Sequence, residues 1–207
     1  LDVPMAGCTS FAAGGNAWGM IEPGTVEELL SVLAACRRCE VPYLVMGSGT
    51  NLLVRDGGLR ALVIRLAGGF GDPPRWESTA VTAPAGMGLA ALARQVLERN
   101  LAGLEWAVGI PGSVGGAVAM NAGAYGGQVS DVLRQVTVIE GERVMTLPVR
   151  PQDMGYRKSA FAQPDRIVLA AQFALAPDDG GAKARAEEYE AQRKAKQPLQ
   201  YPSAGSA

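Results

Sequence analysis

Two glycine-dense loops, an arginine beside a tyrosine, and a serine in a glycine turn have the types and spacing for chemistry in this 207-residue sequence. The first loop, Gly47-Ser48-Gly49-Thr50-Asn51, follows the apolar run 43–46 and leads into Leu52-Leu53-Val54. Glycine permits close backbone approach and positive φ, so successive N–H groups there can converge on an anion such as a pyrophosphate. The loop is not a P-loop, because no Lys-Ser/Thr follows. Nor is it a dinucleotide fingerprint, because Leu52 stands where the third glycine belongs. A tight turn is the simpler alternative. In the second loop, Gly109 to Gly127, Pro111 is expected in the first turn of a short helix, whose free N–H groups would face a phosphate together with Gly112, Ser113, Gly115 and Gly116. The alternative is a close-packed glycine helix without a ligand. Two phosphate-cradling loops in separate lobes imply a dinucleotide between them. Arg157, in the polar stretch Tyr156-Arg157-Lys158-Ser159, offers a planar, permanently charged fork suited to a carboxylate. Ser206 is expected in a glycine turn, where a hydroxyl can donate a proton to a carbanion; for it and for the 156–159 stretch, an ordinary surface loop is the alternative.

The composition narrows this list. With no histidine in the chain, a Ser-His-Asp or Cys-His nucleophile, a His-ligated metal and an imidazole-linked flavin are all excluded. Cys36 and Cys39 have C-x-x-C spacing, but only Cys8 could join them and Cys36 falls on the apolar side of a helix. All three are therefore read as structural, and no metal is expected. Nineteen basic residues against twenty acidic ones give no reason to expect nucleic acid or an anionic membrane as partner. Neither a signal peptide nor an apolar run long enough to span a bilayer is visible, so a cytoplasmic protein is expected.

The elements that must position these groups follow from local patterns. Thr25 and Glu28 form a capping box ahead of an apolar face at Val26, Leu29, Leu30, Leu33 and Cys36, which predicts a helix over 26–40. Strands are expected at 43–46 and 61–64, with a turn at Asp56-Gly57-Gly58. Beyond the Gly/Pro-rich stretch 68–74, a strand is expected at 79–83, a helix over 89–99 ended by Asn100 and Gly103, a hairpin at 132–139 and 143–147, and a strand at 167–175. Residues 181–196 read as a solvated helix with Lys183/Glu187 and Glu190/Lys194 pairs, leading out of one domain toward another.

Six motifs carry these pieces in one order: Thr9-Ser-Phe-Ala-Ala-Gly-Gly15, 47–54 as above, Gly103-Leu-Glu105, 109–117 with Met120-Asn-Ala-Gly-Ala-Tyr-Gly126, Tyr156-Arg-Lys-Ser-Ala-Phe161, and Gln197-Pro-Leu-Gln-Tyr-Pro-Ser-Ala-Gly-Ser206. In this order they resemble the UDP-N-acetylenolpyruvoylglucosamine reductases, flavoenzymes of bacterial peptidoglycan precursor synthesis. The resemblance covers nearly the whole chain. It implies an α+β, two-lobed FAD-binding fold of the vanillyl-alcohol-oxidase (PCMH) type: lobe 1 at 1–67, lobe 2 at 68–180, and at 181–207 a linker helix with the start of a substrate-binding domain. It also implies non-covalent FAD held by Gly47, Ser48, Gly49, Thr50, Asn51, Leu52, Gly109, Ile110, Pro111, Gly112, Ser113, Gly115, Gly116 and Ala117. NADPH would be the reductant of the flavin, which passes hydride to the enolpyruvyl double bond of UDP-N-acetylglucosamine enolpyruvate. Arg157 would polarise the substrate carboxylate, Ser206 would protonate the adjacent carbon, and Tyr156 and Asn121 would join Arg157 in binding substrate.

This sequence departs from the family pattern in places. Ala13 stands where a basic residue commonly precedes the Gly-Gly, and Thr50 stands where serine is usual. Both ends are expected to be cut, since Leu1 is not a methionine and the family continues beyond Ala207 to a catalytic glutamate. Another FAD-dependent oxidoreductase of the same fold, or a non-catalytic flavin-binding fragment, is the alternative.

Overall fold

Thr25 begins the first helix by accepting a hydrogen bond from the Glu28 N–H at 3.2 Å, while the Glu28 carboxylate reaches one residue further than a capping box requires, to the Gly24 N–H at 2.7 Å. The computed structural model describes residues 1–67 and 70–205. Helix α1 spans Val26–Arg38, with Leu29, Leu33 and Cys36 buried on one face. It packs against a four-stranded sheet in the order Val3–Pro4, Asn16–Ile21, Leu59–Arg65, Tyr43–Met46. The last two neighbouring pairs are parallel, so the loop at 47–52 leaves the sheet at the carboxyl end of a strand.

A second sheet, antiparallel throughout, has the order Arg143–Pro148, Leu133–Glu140, Arg166–Ala174, Ala80–Pro84, Arg75–Glu77. Helices α2 (Leu89–Glu98), α3 (Val114–Met120) and α4 (Val129–Val132) belong to the same layer of chain. Leu89, Leu92, Ala93, Val96 and Leu97 form the buried stripe of α2. The two sheets share a core. Leu29, Leu33, Ile64, Leu66 and Phe70 form one buried cluster with Ile139, Ile167 and Leu169, so α1 is wedged between the sheets. Burying side chains of this size contributes roughly 1.5–3 kcal/mol each. Arg37 adds a bond to the Gly141 carbonyl at 3.2 Å and an ion pair with Glu142 at 2.9 Å.

The charged helix does not lead away from the body. Helix α5 (Ala182–Lys196) folds back on the second sheet's side, burying Ala182 and Ala186. Arg185 bridges Glu105 at 2.8 Å and Asp179 at 3.0 Å, and Arg193 donates to the Gly109 carbonyl. The expected Lys183/Glu187 and Glu190/Lys194 pairs are not found among the described residues, and Glu190 instead meets Arg94 at 3.4 Å. The Gly181 N–H and the Arg185 guanidinium together hold the Asp179 carboxyl below the usual carboxylate range. For Glu190 a long-range partner thus replaces the i,i+4 one, because the helix has a wall to dock on.

Candidate functional site

The strand Tyr43–Met46 delivers Gly47 to the point where the two sheets' loops touch. A Cβ at Gly47 would overlap the Ser113 hydroxyl, so the approach requires glycine. Gly49 adopts φ 69°, turning the loop beneath Cys8. Among the described residues, none accepts a hydrogen bond from the N–H groups of Gly47, Ser48, Gly49, Thr50, Asn51 or Leu52. Open N–H groups along a glycine loop, around the turn at Thr50–Asn51, can bind an anion.

The second loop differs from its sequence reading. Helix α3 starts at Val114, not at Pro111, which lies two residues before the N-cap. Ser113 is that cap, its hydroxyl accepting from the Gly116 N–H at 3.3 Å. The Val114 N–H donates to the Met87 carbonyl at 2.8 Å, and the Gly115 N–H to the Ala85 carbonyl at 2.9 Å. Gly115 is therefore a packing residue against Ala85, since a Cβ there would come within 2.8 Å of the Ala85 side chain. Of the N–H groups expected to face a phosphate, those of Gly112 and Ser113 remain open among the described residues.

Both loops line a cleft of about 950 Å³, at the upper end of the roughly 300–1,000 Å³ usual for small-molecule sites. Gly47 to Leu52, Gly109 to Ser113, Gly116 and Ala117 all reach its wall. The charged side chains lining it, among the described residues, are Arg157, Arg193 and Lys196, all cationic. The chain beyond α5 crosses the cleft and joins the first lobe. There the Ser10 hydroxyl donates to the Ser203 carbonyl at 2.6 Å, and the Ser203 N–H donates back to the Ser10 carbonyl at 3.0 Å. Tyr125 from the second loop stacks on Tyr189 of α5, with centroids 4.6 Å apart and 7° between planes.

The remaining expected site residues separate. Arg157 lines the cleft, with φ 53° at the tip of the hairpin Met154–Gly155/Lys158–Ser159. Tyr156 is 90% exposed and is not part of the cleft wall, and its ring centroid lies 5.7 Å from the Arg157 guanidinium carbon. Asn121 is buried behind the wall, bonded wholly to protein. Ser206 lies outside the described residues. The reading from sequence missed Ser10, Tyr189, Arg193 and Lys196. The last three looked like solvated helix surface, and Ser10 was visible only as part of its motif.

The open N–H groups, the cationic lining and the volume fit a long ligand with a pyrophosphate. Fold and cleft define a flavin-binding domain, and residues 18–143 match the family described as FAD binding domain. The chain belongs to the UDP-N-acetylenolpyruvoylglucosamine reductase family. It is 44% identical to the enzymes of that name from Geobacillus thermodenitrificans and Clostridium botulinum (strain Hall) over 208 aligned residues, which cover 99% and 100% of this chain and 67% of each relative. The crystal structure of the UDP-N-acetylenolpyruvylglucosamine reductase from Thermus caldophilus superposes with a TM-score of 0.80 at 34% identity, over 99% of this chain and 72% of that one. No helix among the described residues is long and apolar enough to cross a membrane.

Proposed function

We propose that this chain binds FAD non-covalently in the cleft and uses NADPH to reduce UDP-N-acetylglucosamine enolpyruvate to UDP-N-acetylmuramate, a step of peptidoglycan synthesis carried out in the cytoplasm. The observation that carries the reading is the loop from Gly47 to Leu52, whose N–H groups have no partner among the described residues and which lines a cleft whose charged lining there is cationic. Bound FAD supplies the hydride-transfer chemistry that no side chain here can perform.

The chain's own residues would divide the remaining work. The 47–52 N–H groups, with those of Gly112 and Ser113, would hold the pyrophosphate at little reorganisation cost, because Gly47 and Ser113 already fix the two loops against each other. Arg157 would take the substrate carboxylate in its two-pronged fork and orient the enolpyruvyl group. Ser206 would give a proton to the carbon adjacent to the one that receives hydride, a role open to a hydroxyl in a chain without histidine. The Ser10–Ser203 bonds and the Tyr125–Tyr189 stack would keep the chain beyond α5 across the cleft and limit water entry. In domain terms, we take 1–67 and 68–180 as the two flavin-binding lobes and 181–207 as the approach to a substrate-binding domain.

The test is flavin absorbance of the purified chain after FAD addition and gel filtration, followed by NADPH oxidation with and without the enolpyruvyl nucleotide. A yellow protein whose NADPH oxidation rises with that nucleotide supports the proposal, and a protein that stays colourless sinks it. Ser206→Ala should slow substrate-dependent turnover while flavin reduction by NADPH proceeds at near its original rate.

A further inference from the structure

Asn121 closes helix α3 as a buried C-cap in the left-handed region, with φ 41° and ψ 57°. Asparagine tolerates that conformation. Glycine tolerates it too, so the cap alone does not account for the side chain. The amide makes three bonds. Its Oδ1 accepts from the Ser130 N–H at 3.0 Å, and its Nδ2 donates to the Gln128 Oε1 at 3.3 Å and to the Gly155 carbonyl at 2.9 Å. Gln128 is itself fixed by Asp131, through its N–H at 2.9 Å and its Nε2 at 3.2 Å.

The Gly155 bond is the consequential one. Gly155 is the last residue before the Tyr156-Arg157 turn, in a hairpin that pairs only two residues per strand. Ribbons this short do not hold their own shape in water. The far end of the hairpin is anchored by buried Ser159 and Phe161 and by the Ala160 N–H to the Asp153 carbonyl at 2.7 Å. Among the described residues, Asn121 makes the one hydrogen bond from outside the hairpin to residues 154–158.

We propose that Asn121 is a positioning residue: through the Gly155 carbonyl it holds the hairpin tip so that Arg157 faces the cleft. This rests on the reading that Arg157 receives the substrate carboxylate. Asn121 does not touch the substrate in this account.

The test uses the FAD-loaded chain with Asn121→Gly, which keeps the left-handed cap and deletes the amide, and Asn121→Asp, which keeps an acceptor for Ser130 but gives up the donor to Gly155. Amide hydrogen exchange at 156–159 should rise about tenfold in both, the worth of one neutral hydrogen bond, with FAD affinity unchanged within about twofold. Affinity for the enolpyruvyl nucleotide, read from the perturbation of the flavin spectrum, should fall about tenfold, and by nothing further when Asn121→Gly is added to Arg157→Ala. Unchanged exchange at the tip, or losses that add fully in the double variant, overturn the positioning role. A wild-type chain whose flavin spectrum ignores the nucleotide overturns the reading of Arg157 on which the role rests, and the exchange data separate that failure from failure of the Asn121 tether.

Discussion

Gly47→Ala tests whether the two loops meet as described. Gly47 is not in the left-handed region, so an alanine there meets no backbone penalty. In open space the change would stabilise by about 0.4–1 kcal/mol through the unfolded chain. Here the added Cβ overlaps the Ser113 hydroxyl and stands 3.0 Å from the Ser113 Cβ. Overpacking of this kind costs roughly 1–3 kcal/mol. Moving the Ser113 hydroxyl aside also surrenders the cap on the Gly116 N–H, which costs about 1 kcal/mol. Set against the unfolded-chain gain, the expected net loss is therefore about 1–3.5 kcal/mol. Ser113→Ala alone should cost about 1 kcal/mol. Combined with Gly47→Ala it removes the hydroxyl overlap and leaves only the 3.0 Å carbon contact, so the pair should fall short of additivity by at least about 1 kcal/mol. Urea unfolding of the four proteins measures the cycle, and quenching of flavin fluorescence gives FAD affinity, which should fall at least about tenfold in Gly47→Ala as the loop N–H groups move. Gly57→Ala, where the added Cβ has no neighbour within 4 Å and φ is not positive, is the control and should raise stability by about 0.4–1 kcal/mol. Full additivity of Gly47→Ala and Ser113→Ala would refute the contact.

Three further outcomes are expected. Burial, and then the neighbouring Cys39, push the Cys36 thiol above its ordinary value of 9.0. The folded state therefore keeps a proton that the unfolded state loses, and stability should decline as pH rises from about 9 through the higher folded value. Unfolding midpoints across that range should lose part of this slope in Cys36→Ala, and a thiol reagent should label exposed Cys39 well before Cys36. Tyr125→Ala and Tyr189→Ala should each speed FAD release from the loaded chain, with a coupling of about 0.5–1.5 kcal/mol between them; release rates that change independently would show the stack to be incidental. Ser10→Ala removes the hydroxyl bond to the Ser203 carbonyl and should also speed FAD release, whereas Ser203→Ala, whose hydroxyl among the described residues accepts from the Gly205 N–H at 3.1 Å, should leave the rate nearly unchanged. Equal effects of the two would show that the crossing chain is not held at Ser10.

What was legible in the sequence was what is decided locally. Helices α1 and α2 and the hairpin at 133–148 fell within two residues of expectation because caps, turn glycines and apolar periodicity lie inside each element. The strand Asn16–Ile21 was not anticipated, for a physical reason: its inward positions are the small Ala17 and Gly19, while Trp18 points outward at 51% exposure. The pattern that normally reports a half-buried strand is thereby inverted. Helix α5 misled in the same way. Its docked face consists of Ala182, Ala186 and the arginines that reach Glu105 and Gly109, partners about eighty residues distant, so the sequence shows only a charged helix. At the site, the glycine spacing of 47–51 pointed to a close backbone approach but left a plain tight turn as the alternative. The fate of the Gly115 N–H could not be read from the sequence, because its acceptor is the carbonyl of Ala85, placed there by the tertiary fold.

The net charge of −1 shows the same limit. It argues against a generally basic surface, yet it is silent on the field inside a cleft, because a sum over the chain does not record which charges are neutralised in place. Two acids on elements beside the cleft are paired with arginines: Glu190 with Arg94, and Glu105 with Arg185 and the Gly103 N–H. The bases are distributed differently. Arg193 binds the Gly109 carbonyl, which keeps its full charge at the cleft edge, while Lys196 and Arg157 reach the lining with no acidic partner among the described residues. A chain of balanced composition thus presents a locally cationic cavity, with its walls drawn from the 47–52 loop, the second glycine loop, and α5 with the chain beyond it. A phosphate-bearing ligand would bridge all three, and any such ligand that binds only the folded state must stabilise them together, by about 2.7 kcal/mol at a hundred times its dissociation constant.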